Sequence, residues 1–339
     1  MSRAIFTRKR RRLRIRRILI VCAALLLVAA LIGGSVAFIN KLRQPTDTPT
    51  DPLPPDVPTV GQPEDPPTLA PVRALPADFI TRNTQSPRIV LYDISAKTLM
   101  YSKNGDEACA PASLTKLMTA IVALETAELD TVLTAGNELN LLDPESSRAG
   151  IYIGHKMTLK QALQGLLLKS GNDAAYVIAA QLGHTMDESK SGQAAIDLFC
   201  QKMTDKAAQL GCTNTTFRNP DGIDKTGHQT TANDLLKIAL YALEQPFIAE
   251  TVATRQVTTT FLSGQTKTWA NSNKLVQTDS GYTYAGACGM KTGTTDGAGN
   301  CLISCATRGE RTILCILLGA PKDSTRYNES IELLNLGFS

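Results

Sequence analysis

Histidine is scarce in this 339-residue chain, which has only His155, His184 and His228. No HExxH string sets two of them on one helical face, and no GxSxG elbow is present. A zinc hydrolase and a Ser-His-Asp hydrolase both lack their usual framework. A complete phosphate-binding P-loop is missing, as is any CxxC pair, which removes thioredoxin-like redox chemistry and the common zinc modules. No metal and no cofactor is therefore expected. The sequence also has no internal repeat.

Of eight cysteines, Cys22 lies in an apolar run near the N-terminus, and Cys109, Cys200, Cys212, Cys288, Cys301, Cys305 and Cys315 lie beyond it. Seven cannot all pair. Several fall in apolar strand-like segments, where a buried free thiol is expected.

Positive charge is scarce once the first residues are set aside. The net charge is +4, yet nine Lys and Arg lie within the first seventeen residues, so the remainder is mildly acidic. A basic run can contact nucleic acid, but this one abuts residues 18–39, 22 residues without a charge, a length that suits a bilayer-spanning helix. Only Lys41 and Arg43 follow closely, so the positive-inside rule puts the N-terminus in the cytoplasm and the rest of the chain outside. Membrane, not nucleic acid, is the expected partner of this end. Ser35-Val-Ala37 also offers a signal-peptide cleavage site; the length of the apolar run favours an uncleaved anchor.

Residues 44–76 hold 11 of the 17 prolines. No core forms from such a segment, and at about 3.1 Å per residue a polyproline tether of this length reaches roughly 100 Å. The expected organisation is a basic cytoplasmic tail (1–17), an anchor (18–39), a Pro-rich tether (40–77) and one packed extracytoplasmic domain (78–339).

Within that domain the strand signals cluster at the two ends. Residues 88–94 and 98–101 read as an opening hairpin, 300–306 and 312–318 as a closing one joined at Gly309-Glu310, and 256–262 with 266–270 as another pair. Between them apolar residues recur at helical spacing: Leu114, Leu117, Met118, Ile121 and Leu124; Leu159, Ala162, Leu163, Leu166 and Leu167; Leu235, Ile238 and Leu243. A last helix covers 324–336. These patterns predict an α+β (α/β) plan, an antiparallel sheet flanked by helices and interrupted by an all-α subdomain.

Three short strings carry the chemistry. In Ser113-Leu-Thr-Lys116 the i, i+3 spacing on a helix brings a lysine amine within reach of a serine hydroxyl, giving a self-contained nucleophile and base. Pro111 marks a helix start, where the Ser113 N–H is free to hold an oxyanion. For Lys116 to act as a base, its ordinary pKa of about 10.4 must fall, through burial and through a second ammonium, for which Lys291 is available. Ser170-Gly-Asn172 follows an apolar helical segment: the Ser170 hydroxyl suits a proton relay between Lys116 and a leaving amine, and the Asn172 amide suits a substrate backbone carbonyl. Lys291-Thr-Gly293 precedes a strong strand, and Gly293 permits close approach of another backbone. Singly these strings have bland readings, a surface helix, a turn and a glycine-rich bend.

Together, and in this order, they match the pattern of class A β-lactamases and penicillin-binding proteins. The wider strings Pro111-Ala-Ser-Leu-Thr-Lys-Leu-Met-Thr119, Ser170-Gly-Asn-Asp-Ala-Ala175, Asn219-Pro-Asp-Gly222, Gly227-His-Gln-Thr-Thr-Ala-Asn-Asp-Leu235 and Gly289-Met-Lys-Thr-Gly-Thr-Thr295 closely resemble the low-molecular-mass D-alanyl-D-alanine carboxypeptidases over residues 85–339. The resemblance implies a serine β-lactamase-like fold and removal of the terminal D-alanine from peptidoglycan stem pentapeptides through a Ser113 acyl-enzyme. It implies that β-lactams act as covalent inhibitors. It assigns Lys291, Thr292 and Arg326 to the substrate carboxylate, with Gly293 in the same string, and the Thr294 N–H to the oxyanion hole beside that of Ser113. Many members of that family continue into a small β domain and an amphipathic membrane helix; here the N-terminal span and tether are expected to supply the anchor.

A β-lactamase of class A resembles its relatives in a glutamate within ExxLN. Glu188, Glu244 and Glu250 are the glutamates between the second and third strings, and none has that context, so slow release of penicillin is expected. A D,D-endopeptidase or transpeptidase shares the same site. A non-catalytic β-lactam sensor is disfavoured by the intact Ser113 and Lys116 and by a seventeen-residue tail.

Overall fold

Two long apolar runs near the C-terminus form the centre of the molecule. In the computed structural model, which describes residues 84–339, β8 (Gly299–Arg308) and β9 (Arg311–Ala320) each bury six consecutive residues, the mark of strands covered on both faces. The tail, span and tether expected over 1–77 lie outside the described residues. Among the described residues no helix is long and apolar enough to cross a membrane.

Gly309, with φ of 59°, makes the tight turn that returns β8 into β9. The opening strands β1 (Arg88–Asp93) and β2 (Thr98–Lys103) add to the far edge of β9, and β7 (Ala287–Thr295) adds to β8. The resulting sheet is antiparallel with the order β2-β1-β9-β8-β7. Alternate residues serve two cores, because successive strand side chains point to opposite faces. Ile89, Leu91, Leu302 and Leu317 pack under the C-terminal helix with Tyr327, Leu333 and Leu334. Val90, Ile303, Leu314 and Ile316 face the helical insertion with Leu117, Met118 and Ile121.

That insertion, between β2 and β7, contains α1 (Thr115–Thr126), α2 (Leu159–Leu168), α3 (Asn172–Met186), α4 (Gly192–Gln209), α5 (Ala232–Leu243) and α6 (Pro246–Ala253). The last helix, α7 (Asp323–Phe338), lies on the opposite face of the sheet. Two small two-stranded sheets, β3 (Val132–Thr134) with β4 (Lys156–Thr158) and β5 (Gln256–Thr260) with β6 (Thr266–Ala270), stand apart from the main sheet. The antiparallel sheet, its assembly from both ends of the domain and the helical interruption follow the sequence pattern.

α1 matters most for the site. Every residue from Thr115 to Ala123 is buried, so this helix runs through the core, and the lysine on its first turn is shielded from bulk solvent. The Lys291-Thr-Gly293 string, read as lying before a strand, is itself the middle of β7. Its glycines and threonines resemble a bend in composition, but hydrogen bonding to β8 from Ala287 to Thr295 overrides that local preference.

Candidate active site

Ser113 sits in a 3-10 turn, Ala112–Leu114, that leads into α1. The backbone folds tightly here, with Ala112 at a φ of 49°. Two glycines close on the turn from either side. A Cβ at Gly222 would lie 1.9 Å from the Ala112 carbonyl oxygen, and one at Gly293 would lie 2.9 Å from the Ala112 Cβ and 3.0 Å from the Ser113 nitrogen. Only glycine permits both approaches. The loop 219–222 and the edge strand β7 therefore press directly against the serine turn.

Lys116 is fully buried. Its Nζ donates to Ser113 Oγ at 2.7 Å and to the Asp221 carbonyl at 2.5 Å. Burial pushes its ammonium down to about 8, while the Asp221 and Asp173 carboxylates pull it partly back. Once neutral, the amine keeps its bond to the Asp221 carbonyl and turns its lone pair toward the serine proton. Loop 219–222 is held for this purpose: the Asn219 side chain accepts from Gly222 N at 2.8 Å and donates to the Ile223 carbonyl at 2.7 Å. Asp224 accepts from Thr295 Oγ1 and Gly297 N, both at 2.7 Å, tying the same loop to the end of β7.

Ser170 adopts a φ of 60° just before α3, which turns its hydroxyl toward the sheet. Lys291 Nζ, fully buried on β7, donates to Ser170 Oγ at 2.9 Å and to the Thr292 carbonyl at 3.0 Å. Burial drives Lys291 well below the ordinary lysine range, and the Lys116 and Arg326 charges push it further. Of the two causes expected to lower Lys116, burial acts, whereas the expected push from Lys291 runs the other way. Lys116 has two carboxylates nearby and Lys291 has only cations, so the Lys116 charge lowers Lys291 and Lys291 yields; at Lys116 burial is the lowering cause. The direct Ser170–Lys116 contact expected of a relay is also absent among the described residues. The hydroxyls and amines form two pairs instead.

Asn172, at the start of α3, is 3% exposed, and its Oδ1 is buried without a partner. An orphaned acceptor is costly unless a ligand satisfies it, and an N–H donor suits this atom. Thr292 exchanges a hydrogen bond with Ser272 at 3.0 Å, and Thr294 is exposed at the end of the string. Arg326 is buried against the back of that segment. Its Nη1 donates to the Gly293 carbonyl (2.9 Å), Thr294 Oγ1 (3.0 Å) and the Cys301 carbonyl (3.1 Å), and its Nη2 pairs with Asp323. These bonds commit the guanidinium to fixing β7, while its Nε is buried without a partner.

Three residues escaped the sequence reading. Asp221 acts through its backbone carbonyl, which no side-chain pattern announces, although the quoted Asn219-Pro-Asp-Gly222 string marks the place. Asp173 was legible only as an acid in the first turn of a helix; its carboxylate gathers the N–H groups of Ala149, Gly150, Ile151 and Ala174 at 2.8–2.9 Å, shaping the wall beside Asn172. His228 accepts from Arg218 N at Nδ1, so its Nε2 carries the proton toward Thr115 Oγ1 at 2.9 Å. Burial pushes its pKa down to about 4, which makes it a neutral support for the start of α1. Among the described residues no cluster of His, Cys, Asp and Glu is placed to hold a metal.

A family model described as D-alanyl-D-alanine carboxypeptidase matches residues 77–322. A protein of that name from Streptomyces sp. strain K15 is 32% identical over 252 residues, covering 71% of this chain and 83% of its own length. The D-alanyl-D-alanine carboxypeptidase DacF of Bacillus subtilis strain 168 is 30% identical over 257 residues, 74% of this chain and 61% of the relative. Among solved structures, the Streptomyces K15 DD-transpeptidase superposes with a TM-score of 0.70 at 31% identity, covering 75% of this chain and 97% of that one. Penicillin-binding protein D2 of Listeria monocytogenes, in an ampicillin-bound form, gives 0.62 at 26% identity, covering 76% and 99%.

Proposed function

This chain belongs to the D-alanyl-D-alanine carboxypeptidase family, and on that premise we propose that it removes the terminal D-alanine of peptidoglycan stem peptides by acyl transfer to Ser113. The observation that carries the assignment of roles is the 2.7 Å contact between Ser113 Oγ and a fully buried Lys116, with the Ser170–Lys291 pair close behind it through β7.

The neutral Lys116 amine takes the Ser113 proton as Oγ attacks the carbonyl between the two D-alanines. The developing oxyanion lies against the N–H groups of Ser113 and Thr294. Asn172 Oδ1 accepts an N–H of the substrate backbone. Thr292 Oγ1 and the Lys291 amine receive the terminal carboxylate beside the Arg326 charge; Arg326 acts there through its field and by holding β7. As the C–N bond breaks, Lys116 returns the proton to the departing amine, while Ser170 keeps its bond to Lys291. Lys116 then activates water to hydrolyse the ester, by microscopic reversibility.

β-lactams acylate the same serine, and slow hydrolysis of that ester makes them inhibitors. The ampicillin-bound Listeria relative supports the first step. The second agrees with the lack of ExxLN. A transpeptidase reading has its own support in the name of the K15 structure, since an acceptor amine could replace water at the acyl-enzyme. In the cell the domain works outside the membrane, limiting cross-linking from the end of a single-pass anchor, a reading that rests on the charge asymmetry about residues 18–39.

A fluorescent penicillin should label the full-length protein at Ser113, and Ser113→Ala should lose both labelling and D-alanine release. Wild-type protein that stays unlabelled overturns the assignment. Supplying an amine acceptor with the pentapeptide separates hydrolysis from transfer by the product formed.

A further inference from the structure

The strand that carries Lys291 also carries a thiol with a partner. The register between β7 and β8 runs from Ala287 opposite Ala306 to Gly289 opposite Cys305, leaving Cys288 as an extra residue. In an uninterrupted strand, residues 288 and 289 point to opposite faces. A bulge brings the extra residue's side chain onto the face of its neighbour, here the face of Cys305, and Gly289 has no side chain to intervene. Both residues pack into the same core cluster, and each thiol shifts the other, Cys305 lowering Cys288 and Cys288 raising Cys305. Cys288 and Gly289 together oppose Cys305 in this two-against-one arrangement, so Cys288 is a direct chain neighbour of the residue paired with Cys305.

We propose that Cys288 and Cys305 form a reversible disulfide site, closed by a small-molecule or protein disulfide, that clamps edge strand β7 to β8 three residues ahead of Lys291. The pair is chemically asymmetric. Cys288 is half-buried and accepts from Thr307 Oγ1 at 3.8 Å, and the Cys305 thiol together with this hydrogen bond holds it below the ordinary range. Cys305 is fully buried and raised. Cys288, as thiolate, attacks the oxidant disulfide and expels one thiol; Cys305 then attacks the mixed disulfide and expels the second. Two protein thiols are oxidised, one disulfide is reduced, and the two protons leave with the two released thiols. Burial raises Cys109, Cys200, Cys212, Cys301 and Cys315, which disfavours thiolate at each.

The test uses detergent-purified full-length chain, reduced and then exposed to glutathione disulfide, followed by alkylation and tryptic mapping. Peptides 275–291 and 292–308 should appear joined, lighter by two hydrogens than their sum. Cys288→Ser and Cys305→Ser should abolish the joined species, and Cys301→Ser should retain it. Because a serine at buried position 305 threatens folding, wild-type protein supplies a second reading: iodoacetamide should modify Cys288 about tenfold faster than any other described cysteine, and oxidation should block that reaction. Peptides that stay separate, a joined species that depends on Cys301, or a Cys288 labelled no faster than the rest overturns the proposal.

Discussion

Taking the pH from 8 to 6 should remove most of the catalytic base. With Lys116 at about 8, roughly half of the enzyme carries the neutral amine at pH 8 and about 1% at pH 6, so acylation should slow about 50-fold. A lysine left at its ordinary value would be neutral in only about 0.3% of molecules at pH 8, so burial alone raises the competent fraction by about two orders of magnitude. The measurement is the pseudo-first-order rate of fluorescent penicillin labelling, taken at fixed ionic strength from about pH 5.5 to about pH 9.5. Asp221→Asn sharpens it. The Asp221 carboxylate is the first charge that pulls Lys116 back up, whereas the hydrogen bond to Lys116 comes from the Asp221 backbone carbonyl and survives the substitution. The limb of the profile should move to lower pH, and labelling at pH 6.5 should become faster. A profile flat from pH 6 to 8, or a limb that Asp221→Asn moves upward, refutes the reasoning.

Gly293→Ala puts a methyl group 2.9 Å from the Ala112 Cβ and 3.0 Å from the Ser113 nitrogen. It should cut acylation by about 100-fold with little loss of circular dichroism, in line with the sensitivity of catalysis to a misplacement of about 1 Å; wild-type labelling rates would refute this. Lys116→Met tests linkage. A buried lysine held near 8 binds its proton more weakly folded than unfolded, so wild-type stability rises as pH climbs from about 8 toward 10.5, and the cost below 8 is about 3 kcal/mol. Urea midpoints should show the methionine variant relatively more stable at pH 7, with the difference shrinking toward pH 10. Arg326→Lys keeps the charge but loses the fork whose Nη1 holds the Gly293 and Cys301 carbonyls while its Nη2 pairs with Asp323. D-alanine release should then fall about tenfold or more, and recovery to wild-type rates with lysine would mean that charge alone matters.

What could be read from the sequence was whatever depends on near neighbours along the chain. The Ser113–Lys116 contact follows from one helical turn, and β8 and β9 announce themselves through apolar runs long enough to need cover on both faces. The sheet's position for Lys291-Thr-Gly293 was hidden because glycine and threonine look like a bend until β8 supplies hydrogen bonds. The Asp221 carbonyl was hidden because every residue has one. Arg326 looked like a carboxylate ligand by resemblance, and its attachment to the Gly293 and Cys301 carbonyls appears only when α7 is laid against the sheet. The order of the two lysine affinities depends on which of them has carboxylates nearby, a property of the folded surroundings and not of spacing.

The order of strands fixes when this protein can become active. β9, which follows every other described strand, lies in the middle of the sheet, where Arg88 of β1 meets Leu318, a residue 230 positions later. Until that strand is inserted, β1 and β8 have no common neighbour, and β7 cannot be held against the serine turn. Ser113, Lys116 and Ser170 belong to the insertion, while Lys291 belongs to the sheet, so the two lysines meet only on completion. The emerging chain therefore carries its nucleophile from Ser113 until β9 is made without the means to use it, and capture of a penicillin reports that β9 has gone in.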